Sequence, residues 1–319
     1  MIRAGLVFLA ILLLASPSHA QLRPKYPVVF VHGIFAMEQF AIEHRDRGDY
    51  FRGVPGRMRA LGIPASFPAV GFSNGVADRA ARLGRHLDTV WPGTKVNVIA
   101  HSIGGLATRD LIARLGYADR VASLTTISTP HRGTPVADFV VRHFGSHAVQ
   151  QLLADADMRA DALHDLTAAA CADFNARTPD APNVGYFSMG GAQPWWAIKA
   201  PLQPFTWLIR LEARVRAGRG IGDESRARLA REPYGAEMLS YLDEVARDVA
   251  ASGAAASRAD AAADRAANDG VVPLLSTPWG VSLGTIDMDH LDQIGWGSNG
   301  VASADFYESI VRGLTARGY

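Results

Sequence analysis

Two serines in this sequence carry flanks that suit a nucleophile. "VGFSNGVADRA", residues 70 to 80, spells Gly-x-Ser-x-Gly around Ser73, and "VNVIAHSIGGLATRD", residues 96 to 110, spells Ala-His-Ser-Ile-Gly around Ser102. A serine hydroxyl attacks a carbonyl efficiently only when a sharp strand-to-helix turn presents it and a base takes its proton. Such a turn needs a buried strand leading in and small residues where the two backbones converge. It also needs a helix that begins at once, so that its N-terminal dipole and free N–H groups face the developing oxyanion. Ser102 has all three: the apolar run at 96 to 101, the small residues Ala100, Gly104 and Gly105, and a helical pattern directly after. Alanine in place of the usual first glycine adds one methyl group, which small packing opposite would accommodate. The run before Ser73, "ASFPAV", holds Pro68, which cannot donate a ladder hydrogen bond. Ser73 or Asn74 reads instead as the N-cap of the amphipathic helix that follows. Ser102 is the expected nucleophile.

The base and its orienting acid must lie further along the chain, acid first and histidine second. Ten histidines are present, and His290 has the context of a base: "GVSLGTIDMDHLDQIGW" reads as a strand followed by a loop. His143, His147 and His164 fall in a helical stretch. Between Ser102 and His290, "NDGVVP" sets Asp269 in a turn triplet that opens an apolar run, which makes it the candidate acid. A strand expected just before it is replaced by an alanine-rich stretch. The oxyanion needs two N–H donors: that of Ile103, after the nucleophile, and that of Ile34, in the "HGIF" loop after "VVFV", with Gly33 allowing close backbone approach.

These residues need a scaffold. "PVVFVHG", "VNVIAH" and "VASLTTIST" are apolar runs without alternation, as buried parallel strands read, and "VGYFSMGG" resembles them. Between them lie helical patterns; in "GVADRAARLGRHLDTVW" the residues Val76, Ala80, Leu83, Leu87 and Val90 share one face. The alternation implies α/β architecture, a mostly parallel sheet with helices on both faces. It breaks down from about 138 to 267, an interval long enough for a helical cap or lid. Within it, "PWWAIKAPLQPFTWLIRL" holds three tryptophans and suits either core or a greasy rim at a substrate entrance.

Composition bounds the class. The N-terminal "MIRAGLVFLAILLLASPSHAQ" has a basic start, an apolar run and Ser18-His19-Ala20, so residues 1–20 are expected to be a secretory signal peptide, leaving one catalytic domain over 21–319. With 32 basic against 31 acidic residues the charge gives no case for a nucleic-acid partner. A single cysteine, Cys171, can form no internal disulfide, so the fold must rest on its core.

The pieces "YPVVFVHGIF", "VNVIAHSIGG", "LTTISTPHRGTPVADF", "ADFNARTP", "GYFSMGG", "NDGVVP" and "DHLDQ" run in the order of a known family, from residue 26 to 293. The chain resembles the bacterial triacylglycerol lipases of the Pseudomonas–Burkholderia type, which are α/β-hydrolases. The resemblance implies a lipase acting on acylglycerols, with Ser102, Asp269 and His290 as the triad and Ile34 and Ile103 as oxyanion donors; the leader adds secretion and the tryptophan-rich stretch contact with a lipid interface. The resemblance implies no cofactor for the chemistry, but a structural calcium with Asp292 as one ligand and Asp243 or Asp248 as candidates for a second. A dedicated folding chaperone is among the partners it allows. The departures are Ala100 for glycine, the absent disulfide and an unfamiliar segment at 192 to 267. The rival readings are a short-chain carboxylesterase or polyester depolymerase with the same triad, and a non-catalytic surface-binding relative.

Overall fold

Alternation along the first strand, β1 (Val28–Val31), sorts its side chains to two faces. Val28 and Phe30 join one apolar cluster, Val29 and Val31 another, and all four are fully buried. A strand covered on both faces belongs inside a sheet sandwiched by helices. The computed structural model describes residues 23–34, 50–71, 73–155, 160–232, 234–252, 266–296 and 300–319; the expected signal peptide and the alanine-rich residues 253–265 lie outside them.

Six strands form one sheet in the order β2-β1-β3-β4-β5-β6, every pair parallel. The others are β2 (Ala65–Ser66), β3 (Val96–His101), β4 (Val121–Ile127), β5 (Gly185–Gly191) and β6 (Val281–Ile286). On the Phe30 face lie α1 (Val54–Ala60) and α11 (Val301–Ala316), through Val54, Met58, Tyr307, Ile310 and Leu314. On the other face lie α2 (Val76–Val90) and α3 (Ile103–Arg114), through Ala80, Leu83, Leu87, Leu111 and Ile112. This is the α/β-hydrolase arrangement read from the sequence.

Helix α2 buries Val76, Ala80, Leu83 and Leu87, but Val90 at the end of the same stripe is exposed. Its start also differs from the expected one. The N-cap is Gly75, with no side-chain cap; the Val76 N–H is taken instead by Asp165 Oδ2, 2.7 Å away, from a distant turn. Asn74 bonds Asp78, and the helix begins one residue too late for Ser73 or Asn74 to cap it.

A second helical group comprises α4 (Pro135–Arg142), α5 (His147–Asp155), α6 (Ala160–His164), α7 (Ala168–Arg177), α8 (Gln203–Arg216), α9 (Asp223–Leu229) and α10 (Gly235–Ser252). The interval 138–267 is therefore not one block: β5 returns to the sheet in its middle. Helices from before and after β5 still share one apolar cluster, with Phe139 and Val140 of α4, Leu208 and Leu211 of α8 and Met238 and Leu242 of α10. Ile103 belongs to it and Ile34 packs against it, so this layer reaches the carboxyl edge of the sheet. Cys171 is buried there; its Sγ lies 3.3 Å from the Pro130 carbonyl and 3.4 Å from that of Asp165, and burial pushes the thiol up to about 12. No described helix is long and apolar enough to cross a membrane.

Candidate active site

From β1 the chain crosses to β2 on one side, and β3 then pairs with β1 on the other. Loops leaving such a pair diverge and open a crevice at the carboxyl ends of the strands. Val31 pairs with Ala100, so Gly33 and Ser102 emerge side by side at that point. A Cβ built on Gly33 would lie 2.7 Å from the Ser102 Cβ, a contact that only glycine avoids.

Ser102 has φ 55° and ψ −134°, a left-handed conformation that costs a non-glycine residue on the order of 1–3 kcal/mol and persists only when its surroundings impose it. They do so here: its N–H donates to the Ile127 carbonyl at 2.9 Å, and its carbonyl accepts from Thr129 Oγ1 at 2.7 Å and Gly105 N–H at 3.1 Å. Its hydroxyl makes no capping bond to α3, which leaves Oγ for other work. A Cβ on Gly104 would meet the Val31 carbonyl at 2.8 Å, and one on Gly105 would meet Thr129 Oγ1 at 2.2 Å, so the expected need for small residues after the serine is physical.

Asp269 and His290, 21 residues apart, meet at 2.7 Å between Oδ2 and Nδ1. The histidine is docked twice, since its own N–H donates to the Asp269 carbonyl at 2.8 Å. Asp269 is fully buried; Oδ1 accepts from the N–H groups of Val271 and Val272, and Oδ2 also accepts from Gln293 Nε2 at 3.1 Å. Burial alone would raise its pKa, but His290, the Val272 N–H and the Ser128 hydroxyl outweigh that and hold the carboxyl below its ordinary range. With Nδ1–H given to Asp269, the assigned tautomer leaves Nε2 of His290 as a lone-pair base. The acid turn packs on the end of β5, where a Cβ on Gly191 would strike Gln293 Nε2 at 2.1 Å and Asp269 Cβ at 3.1 Å.

Beside the serine, the ring of His101 lies 4.4 Å from that of His290, centroid to centroid. Gln293 Oε1 accepts from His101 Nε2 at 3.1 Å, so one amide links the acid to the residue before the serine. His101 Nδ1 then accepts from Tyr50 at 2.8 Å. Burial, then His290, hold His101 well below the usual histidine range, so it stays neutral. Neither Gln293 nor Tyr50 emerges from the sequence reading; Gln293 stands three places after His290, but nothing in its spacing announces a bridge.

The loop after β1 is held by a buried arginine. Arg79 of α2 donates from Nη1 to the His32 carbonyl and from Nη2 to the Gly33 carbonyl, both at 3.0 Å. His32 Nδ1 donates to the same Gly33 carbonyl at 2.9 Å, and its Nε2 accepts the Val70 N–H at 3.1 Å. Burial and the Arg79 charge lower His32 to about 3, and burial lowers Arg79 to about 10, so one is neutral and the other charged at neutral pH. The peptide after Gly33 is thus fixed by its oxygen, with the Ile34 N–H on its opposite side. Ile103 opens α3, where the first N–H groups have no partner within the helix.

No family model matches the chain. It is 27% identical to triacylglycerol lipase 2 of Saccharomyces cerevisiae over 86% of its own length and 81% of that relative's. It is 31% identical to a triacylglycerol lipase of Pseudarthrobacter phenanthrenivorans, over 49% of this chain and 55% of that one. Among solved structures, a Bacillus licheniformis lipase in its mature form superposes with a TM-score of 0.56 at 18% identity, covering 91% of both chains. The fold and these named relatives together support a carboxylic ester hydrolase similar to the lipases. This hydrolase acts on carboxylic esters, as the sequence suggested.

The calcium expectation can be tested on the residues around Asp292. Calcium takes six to eight oxygen ligands. Here the Asp292 carboxylate is ion-paired with the ammonium of Lys199, which also lies 3.5 Å from Asp289 Oδ1. Both Asp289 oxygens are engaged by backbone N–H groups: Oδ2 by Lys199, Oδ1 by Leu291 and Asp292. The candidates for a second ligand are committed elsewhere, Asp243 to Arg226 at 2.5 Å and Asp248 to Arg142 at 3.0 Å. Among the described residues no group of three or more His, Cys, Asp or Glu could hold a metal ion. In this hydrolase the residues at Asp292 do not fit calcium.

Proposed function

We propose that this ester hydrolase is a secreted acylglycerol lipase working through Ser102, His290 and Asp269. The observation that carries the reading is the pairing of Asp269 with His290 at 2.7 Å, beside a serine held strained on a strand-to-helix turn. Ser102 Oγ attacks the ester carbonyl carbon while His290 Nε2 takes the hydroxyl proton. Asp269 stays ionised, fixes the imidazole and stabilises its charged form. The N–H groups of Ile34 and Ile103 receive the oxyanion of the tetrahedral intermediate. The intermediate collapses as the alcohol leaves with the proton from His290, and an acyl-Ser102 ester remains. Water, deprotonated by the same nitrogen, attacks this ester; the second intermediate expels the serine oxygen, which regains its proton, and the carboxylic acid departs.

Support for a lipid substrate comes from the two relatives named as triacylglycerol lipases and from Trp196, 70% exposed on the loop after β5. The leader-like residues 1–20 support export. Hydrolysis of emulsified long-chain triacylglycerol against soluble short-chain esters tests the reading: a marked preference for the emulsion is expected, and turnover of soluble esters alone assigns the esterase reading instead. Full activity in Ser102→Ala would remove the triad.

A further inference from the structure

Lys199 reaches the loop that carries His290 from the turn after the tryptophan pair. Its backbone N–H donates to Asp289 Oδ2 at 2.9 Å, and its ammonium lies 3.5 Å from Asp289 Oδ1 and against Asp292 Oδ1. Asp289, directly before the histidine, is fully buried. Its Oδ1 also takes the N–H groups of Leu291 and Asp292 at 2.9 and 2.7 Å, directly after the histidine. This carboxylate thus ties the residues on both sides of His290 to Lys199. Three backbone N–H groups and the Lys199 ammonium together offset the cost of this buried carboxylate beside a second one.

The far end of the tie is also fixed. Gln203 Nε2 donates to the carbonyls of Trp195 and Ile198 at 2.5 and 2.6 Å, which holds the turn bearing Lys199. Ile198 and Leu202 pack on Gly270, next to Asp269, so closely that a Cβ there would meet them at 3.1 and 2.8 Å. The Lys199 turn therefore bears on the acid turn and the histidine loop together.

We propose that Lys199 is a positioning residue: its ammonium, in the place of a bound calcium ion, fixes the loop that carries His290 and joins that loop to the turn behind Trp195 and Trp196. The role rests on His290 being the catalytic base. A tethered ammonium needs no free ion to hold it in place, so the stability and turnover of the protein should not depend on calcium. A calcium ion could enter only by displacing Lys199 from both carboxylates.

The test uses the purified protein, a soluble short-chain ester and the variants Lys199→Met and Lys199→Arg, with Ser102→Ala as control. Misplacing a catalytic group by about 1 Å costs up to about a hundredfold, so Lys199→Met should lose about ten- to a hundredfold in kcat with KM nearly unchanged. Lys199→Arg, which keeps the cation, should recover most of the loss. Wild-type kcat and Tm should be the same in chelator and in millimolar calcium. The proposal is overturned by wild-type kcat in Lys199→Met, by loss in Lys199→Arg equal to that in Lys199→Met, or by a wild-type Tm that chelator lowers and calcium restores. If Lys199→Met does not fold, the wild-type melt decides. An active Ser102→Ala would sink the triad, whereas an inert Ser102→Ala beside an unimpaired Lys199→Met would sink only the clamp.

Discussion

Arg79 Nη2 donates to the carbonyl of Gly33 at 3.0 Å, on the opposite side of the peptide from the Ile34 N–H proposed to face the oxyanion. The arginine fixes the orientation of a donor it never touches. Loss of one oxyanion donor costs about a hundred- to a thousandfold in kcat elsewhere, and misorienting it should cost part of that. Arg79→Lys, which keeps the charge but loses the fork that spans two carbonyls, is expected to lower kcat on a soluble ester about tenfold or more, with little change in KM. Unchanged kcat in a folded variant would mean the loop holds its own shape.

The two serines should separate cleanly. Ser102→Ala is expected to lower kcat by on the order of 10^6, as removal of a triad nucleophile does in other hydrolases. Ser73→Ala should keep full activity and, because Gly75 is the N-cap, change stability by less than about 0.5 kcal/mol. The cost moves to Asp165: Asp165→Ala should destabilise by about 1 kcal/mol as a lost cap. Urea titrations of the three variants check this, and a Ser73→Ala loss as large as that of Asp165→Ala would contradict the cap assignment.

Acid should weaken the fold well above the carboxylate range. Burial holds His32 near 3 and His101 and His131 well below the usual value, so all three are neutral when folded and take protons when unfolded. Their neutral packing supports the fold fully above about pH 6.5 and is lost as pH falls below it, at up to about 4 kcal/mol per pH unit for three such groups. Asp269, held below its ordinary range, adds a loss only below about pH 4. Unfolding midpoints in urea at pH 7 and pH 5 should therefore differ strongly; equal midpoints would show that these histidines are charged in the native state.

The tryptophan rim divides into two parts. Trp195 and Trp207 lie 5.3 Å apart with the Arg228 guanidinium over both rings, whereas Trp196 stands exposed. Trp196→Ser should lower activity on emulsified esters by about tenfold or more, since an aromatic side chain buried in lipid contributes on the order of 2 kcal/mol. Soluble-ester rates and Tm should not move. Trp195→Ser should lower Tm as well, and equal melting losses in both variants would make Trp196 part of the core.

Strands β1, β3 and β4 were legible because burial on both faces leaves continuous apolar runs such as 28 to 31 and 96 to 101. The proposed triad was legible because each member needs a recognisable local context: a small-residue turn at Ser102, an Asx turn at Asp269, a loop after a strand at His290. What escaped were contacts between segments far apart in sequence. Arg79 reads as one more polar position on an amphipathic helix, Lys199 as a stray charge in an apolar stretch, and Gln293 as the end of a short motif. Each becomes meaningful only when folding sets it against a carbonyl or carboxylate dozens of residues away. The helix start at Gly75 was misplaced for the same reason, its cap being supplied by Asp165.

Cys171 bears on how such a chain can be made. The one thiol in the sequence is buried and held protonated far above neutral pH, and no second cysteine is present to meet it. The covalent connectivity of the polypeptide is then the same in a reducing and an oxidising compartment. Maturation requires neither an oxidant nor a disulfide isomerase, and no mispaired isomers exist to be sorted. Recombinant material from a reducing cytoplasm should match material from an oxidising compartment in its bonding.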